Sequence, residues 1–214
     1  MFTHKPSQEE ISKWFAGFKL HDGLKHEQYV GGIVVIENKD RGVSTWMPYV
    51  NATARIAYFW DWVESKKYMA FIEVSDPVPV EIDLPGDKKS RQFYITAEVV
   101  VEQEYDHEEP TEVSGITINQ KHLRTVRKAT GSKQVSPTKV KRGWQGAPDT
   151  VMADSDALMK AETGAIARAL GSLGMLALPG SGLATAEDMV DFIREAAVAV
   201  DERPKTKAAP NPKK

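Results

Sequence analysis

The stretch that most restricts the fold runs from Asp154 to Leu178, DSDALMKAETGAIARALGSLGMLAL. Asp154 or Ser155 is placed to cap it, and Leu158, Ala161, Ala165, Ala169 and Leu173 recur at nearly four-residue spacing, which predicts one long helix. The side chains at Ala161, Ala165 and Ala169 are small enough for another backbone layer to approach closely, and a sheet is the expected layer. Arg168 stands among them as one basic group in an otherwise apolar run. Gly174 ends the periodicity, and Pro179 to Gly182 (PGSG) break the chain before a second helix.

Taken in order, the chain offers strands before that helix. Ser7-Gln-Glu-Glu10 is a capping-box pattern that opens a short amphipathic helix, with Ile11, Trp14, Phe15 and Phe18 on one face. Gln28 to Ile36 is β-branched and interrupted by Gly31-Gly32, which predicts a strand with a bend or bulge. Asn38 to Gly42 is a turn, Val43 to Met47 returns as the second strand of a hairpin, and Pro48 ends it. Asn51 caps a helix to about Ser65 with Ile56, Phe59, Trp60 and Val63 inward; Tyr58 and Trp62 fall off that face, as candidates for exposed contacts or for a neighbouring subunit. Tyr68 to Val74 and Val80 to Leu84 are extended. Phe93 to Tyr105 alternates, with Ile95, Ala97, Val99 and Val101 facing one way and Thr96, Glu98, Val100 and Glu102 the other.

Glu112 to Arg127 holds one further strand, and Lys128 to Asp149, rich in Gly, Ser and Pro, is expected to be a long basic loop. A final helix is expected from Thr185 to about Val200. Residues 201–214 form a Lys/Pro tail without apolar anchors and are expected to be disordered. The fold class expected is α+β, an antiparallel β-sheet packed by a long central helix with N-terminal and C-terminal helices, as a single domain over residues 1–200.

Composition narrows the function classes. The apolar and charged fractions, 41% and 27%, are those of a soluble globular protein, and no run reaches the roughly 18 apolar residues of a membrane span. There is no cysteine, which excludes disulfides and thiolate metal sites and agrees with a reducing cytoplasm. The net charge of −2 hides a segregation. Glu98 to Glu112 is acidic, whereas Val113 to Pro148 contains no Asp or Glu and carries Lys121, Arg124, Arg127, Lys128, Lys133, Lys139, Lys141 and Arg142. With Trp144 beside them, these cations suit a nucleic-acid backbone and a stacked base. They also suit a solvated loop that balances the acidic strand before it.

A metal-dependent nuclease would draw on Glu98, Glu102, Asp106 and His107, since Mg²⁺ and Mn²⁺ prefer oxygen ligands. Alternating glutamates are equally the outer face of a sheet. The five histidines show no zinc spacing, and Gly131-Ser132-Lys133 lacks the leading glycine of a phosphate-binding loop, which argues against ATP hydrolysis.

The run Lys160-Ala-Glu-Thr-Gly-Ala-Ile-Ala-Arg168-Ala-Leu170, then Gly171-Ser-Leu-Gly174, then Ala184-Thr-Ala-Glu-Asp-Met189, resembles the C-terminal core of phage single-strand annealing proteins, the ERF, Sak and RecT-like superfamily. The resemblance covers about thirty residues. It implies ATP-independent binding and annealing of single-stranded DNA in phage-type recombination, in the cytoplasm of a bacterial host, with no cofactor. It implies a ring or helical homo-oligomer, and host or phage recombination proteins as further partners. Carried onto this chain, it makes Arg168 a phosphate contact with Lys160 as its companion two turns earlier; the residues alone equally allow an intramolecular pair for Arg168, for instance with Glu162. A third class, a regulatory or scaffold protein, would use the aromatic cluster around Trp46, Tyr49, Tyr58, Trp60 and Trp62 as a protein interface.

Overall fold

The computed structural model describes residues 2–40, 43–84, 88–106, 111–113, 116–118, 121–139, 149–150, 153–178, 186 and 189. Among the described residues the class is α+β, with antiparallel sheets and three α-helices. Of the expected final helix, Ala186 and Met189 are described and helical; the rest of it, and the tail at 201–214, lie outside the described residues. No described helix is long and apolar enough to cross a membrane.

The first helix, α1 (Gln8–Ala16), begins as its sequence dictates. The Ser7 hydroxyl accepts from the Glu10 N–H at 3.3 Å, and the Glu10 carboxylate accepts from the Ser7 N–H at 2.7 Å. Two short 3₁₀ turns follow at His26–Gln28 and Val30–Gly32, where the sequence predicts a strand. The first strand, β1, therefore starts at Ile33 (Ile33–Asp40) and pairs with β2 (Val43–Val50), which runs through Pro48. Gly32 is not a bulge. A side chain there would bring its Cβ to 2.1 Å from Ala54 Cβ, so the glycine lets the turn seat against the start of the next helix.

That helix, α2 (Ala52–Lys66), is capped by the Asn51 side chain, which accepts from the Ala54 N–H at 2.7 Å. Its aromatic face differs from the expected one. Tyr58 and Trp62 are buried at 2% and 3% exposure, and Trp60 stands 43% exposed. The buried stripe is Ala52, Arg55, Tyr58, Phe59, Trp62 and Val63, a helical face centred one position away from Ile56 and Trp60. The Tyr58 hydroxyl settles the choice, because the chain around His21 folds over it and supplies the hydrogen bonds that a buried phenol needs.

The main sheet is built on one long strand. It receives β3 (Met69–Val74) and β4 (Val78–Leu84), then β5 (Lys88–Asp106). A small hairpin, β6 (Thr111–Val113) with β7 (Ile116–Ile118), leads to β8 (Lys121–Val135). A two-residue pair follows, β9 (Thr138–Lys139) with β10 (Asp149–Thr150). β8 pairs with β5 from Phe93 to Asp106, overlapping both β3 and β4, so those two share the opposite edge of β5. The basic segment expected to be a loop from Lys128 is thus strand as far as Val135. The nineteen residues of β5 offer β8 a continuous partner, and paired backbone outweighs the loop-forming composition.

The inner face of β5 is as expected: Ile95, Ala97, Val99 and Val101 are buried at 3% or less. Phe93, Ile95, Ala97 and Val135 share one buried cluster with Ala157, Ala161 and Ala165 of the last helix, α3 (Asp154–Ser172). Ala153, rather than Asp154 or Ser155, is the residue before its first turn. Gly131 of β8 sits where the layers are tightest. A Cβ there would stand 2.3 Å from Ala169 N and 2.4 Å from Ala165 O, both backbone atoms of α3. The glycine that reads in sequence as a loop former is required by this approach. Gly174, at φ 85°, turns the chain out of the helix.

Two outcomes are expected. Gly131→Ala lowers the unfolding free energy by at least about 2 kcal/mol, because neither backbone can yield cheaply. Trp62→Ala costs about 3–5 kcal/mol while Trp60→Ala costs under about 1, read as urea midpoints; the reverse order would contradict the buried face described.

Candidate nucleic-acid interface

Of the eleven residues singled out for nucleic-acid binding, those whose side chains are described do not form one patch. Lys121 and Lys139 occupy backbone positions in β8 and β9, with side chains outside the described residues, and Lys141, Arg142 and Trp144 lie outside them altogether. Arg124 is exposed on β8. Lys128 points to the outer face of the sheet, where its Nζ is 3.0 Å from Glu98 Oε2.

Arg127 serves the fold. It lies opposite Val101, on the inner face, and its Nη1 donates to the Leu173 carbonyl at 2.9 Å, at the C-terminal end of α3. A cation there complements the helix dipole. Its guanidinium also lies over the Trp62 ring, 5.2 Å from the centroid.

The remaining three converge. Lys160, Gly164 and Arg168 follow one another at four-residue spacing along α3, so they share one side of the helix. The stem of Lys133 crosses that side at the glycine: a Cβ on Gly164 would stand 2.9 Å from Lys133 Cγ. One turn on, Arg168 Nη1 donates to the Ser132 carbonyl at 2.9 Å. Lys133 is largely buried, whereas Lys160 and Arg168 are half-buried. The result is a basic edge, where β8 meets α3, with three cations brought together from two distant segments.

The outer face of the sheet is of another kind. Phe71, Val78 and Tyr94 are exposed there, with Glu73, Glu98 and Glu102 around them by strand alternation. Hydrogen bonds from Ser132 and Thr96 hold the Tyr94 phenol below its ordinary range. Of the carboxylates considered for metal chemistry, Glu98 and Glu102 lie here, and Glu98 is paired with Lys128; the side chain of Asp106, and His107, lie outside the described residues. Among the described residues no group of His, Asp and Glu is arranged to hold a metal ion.

Two features escape a reading of the sequence. Arg55 is fully buried in α2, and its Nη1 donates to the Ala167 carbonyl of α3 at 3.0 Å. Its position on the stripe Ala52, Arg55, Phe59, Trp62 is a visible signal, since a charge on an apolar face is either paired or misassigned. The second is the pair His21 and Tyr58. The Tyr58 hydroxyl accepts from the His21 N–H at 2.9 Å and lies 2.6 Å from His21 Nδ1. Nothing in the residue pattern links positions 21 and 58.

Against protein-family models and curated proteins, the chain finds no match.

The imidazole of His21 titrates below its ordinary value of 6.5, first because it is buried, then because Arg127 and Lys66 repel a further positive charge; Asp22 opposes them weakly. The folded state therefore binds this proton less readily than the unfolded chain. The stability this contributes is complete above about pH 6.5 and is lost as pH falls through the depressed folded value. Urea midpoints should drop between pH 7 and pH 5, and the drop should shrink in His21→Asn. An NMR titration that placed His21 above 6.5 would contradict this.

Proposed function

We propose that this protein binds single-stranded DNA, without ATP or a cofactor, along the basic edge formed by Lys133, Lys160 and Arg168, and that it anneals complementary strands in phage-type recombination. The observation that supports the reading is the convergence itself. Lys160 and Arg168, the two residues the annealing-protein resemblance points to, stand one turn on either side of the place where Lys133 crosses α3.

Phosphates held by such an edge release counterions, so affinity falls steeply with salt, while the bases stay outward and free to pair. In this reading α3 is the central helix of the domain, carrying the sheet on its small-residue side and the strand of DNA beside it. One protomer spans only a few nucleotides, so a homo-oligomeric array would supply affinity through avidity along the DNA. The site of action would be the bacterial host cytoplasm.

Fluorescence anisotropy of a labelled oligo-dT, titrated across a salt series with EDTA present, tests the proposal. Binding is expected at low salt. Lys160→Glu with Arg168→Gln should weaken it at least tenfold and flatten the plot of log K against log salt by about 0.7 for each phosphate no longer neutralised. Circular dichroism and the urea midpoint of the same variant establish that the fold survives. Absence of binding by the unaltered chain at low salt would overturn the proposal. Binding that the variant leaves unchanged would remove it from this edge.

A further inference from the structure

Phosphates alone do not tell a single strand from a duplex, because both carry them. A basic edge made of Lys133, Lys160 and Arg168 would account for affinity and not for a preference for unpaired DNA. Inside a duplex each base face is covered by the next base pair, so the discriminating group has to be one on which a free base can stack.

Such a group stands beside the edge. Tyr94 is 40% exposed on the outer face of β5, and its phenol oxygen is held by the side chains of Ser132 and Thr96. With the oxygen fixed, the ring is ordered before a ligand arrives, which removes part of the entropic cost of binding. Its immediate neighbours carry no charge. Val78, 52% exposed, lies directly opposite on β4, and Gln134 directly opposite on β8. Gln92 lies two residues away on the same side of β5, and its side-chain carbonyl accepts a hydrogen bond from the Gln134 amide. Glu98, with Glu73 opposite it, is four residues further along β5, about 13 Å at the rise of a strand. That exceeds the screening length of about 8 Å at physiological salt, so the carboxylates repel DNA only weakly at Tyr94.

Ser132 joins the ring to the edge. Its carbonyl accepts from Arg168 Nη1 at 2.9 Å, its side chain holds the Tyr94 phenol, and the next residue is Lys133. Successive strand residues point to opposite sides, so Lys133 turns to α3 while Ser132 turns to the outer face. Neighbouring strands are about 4.8 Å apart, which places the ring on β5 one strand in from the border where the cations collect. A strand of DNA whose phosphates follow that border can lay a base over the ring.

We propose that Tyr94 is a stacking platform for one nucleobase of the strand held at the basic edge, and that it makes the site prefer single-stranded DNA to duplex. The proposal rests on the DNA-binding reading of that edge and adds a base contact to the phosphate contacts. Stacking uses the face of a base and pairing uses its rim, so a base on Tyr94 remains able to meet its complement. Every base has such a face, so the preference between sequences is small.

Fluorescence anisotropy on the full chain, with labelled oligo-dT, an abasic strand and a duplex of the same length, tests this across a salt series. Tyr94→Ala and Tyr94→Leu should each weaken oligo-dT binding at least fivefold, within the range of about 5- to 150-fold that one stacked base contributes. Tyr94→Phe keeps the ring and should stay within about twofold of the unaltered chain, since only the anchoring of the oxygen is lost. The slope of log K against log salt should not change, because no phosphate contact is removed; Lys160→Glu with Arg168→Gln should flatten it. Binding to the abasic strand and to the duplex should be the same with and without Tyr94→Ala, so the preference for single strand over duplex falls by the factor lost on oligo-dT. Salt-dependent binding of oligo-dT that Tyr94→Ala and Tyr94→Leu leave unchanged overturns this proposal and leaves the basic edge standing. An equal loss on the abasic strand also overturns it, since the tyrosine would then act only through the fold. Failure of the unaltered chain to bind any of the probes overturns both.

Discussion

The structure depends on the approach of two backbones. Where β8 crosses α3, the sheet comes so near the helix that only glycine fits at position 131, and Ala157, Ala161, Ala165 and Ala169 line the facing turns. Close approach of this kind gains dispersion over many atom pairs and removes the space that side chains would otherwise fill. It also decides where the larger side chains go. Lys133 has to leave sideways along Gly164, and Arg168 meets the β8 backbone at Ser132. The basic edge is therefore a product of the packing, since cations that cannot enter the interface collect at its border.

The same crossing explains which parts of the fold are legible in the sequence and which are not. The helix from Asp154, its alanine stripe and the expectation of a close second layer follow from spacing and side-chain size, which are local properties. The alternation of Phe93 to Tyr105 is local too. Lys128 to Val135 reads as a loop because Gly131, Ser132 and their neighbours are loop formers in isolation; their strand conformation comes from a partner strand and a helix that are remote in sequence. Trp60 and Trp62 mislead for a related reason. Both are plausible core residues on adjacent helical faces, and the decision rests on a phenol–imidazole contact made by residues 37 apart. Of the candidate site, Lys160 and Arg168 are legible as a helical pair, whereas the place of Lys133 beside them requires the fold.

Charge segregation along the chain becomes segregation in space. The acidic run of β5 supplies the outer face of the sheet, while the basic β8 beside it sends Arg127 inward to α3 and Lys133 to the edge. An acidic outer face and a basic edge then lie side by side on one thin sheet. A ligand of either sign meets one surface that attracts it and one that repels it, which favours a single orientation of approach.

The buried bond from Arg55 to the Ala167 carbonyl joins residues 112 apart in the chain. In kinetic terms this raises the contact order, because α2 and α3 can meet only after every intervening strand has been made. Chains emerging from the ribosome would carry α2 for many seconds with that guanidinium not yet joined to α3, at about 5–20 residues per second. α3 is thus the helix that completes both the core and the basic edge.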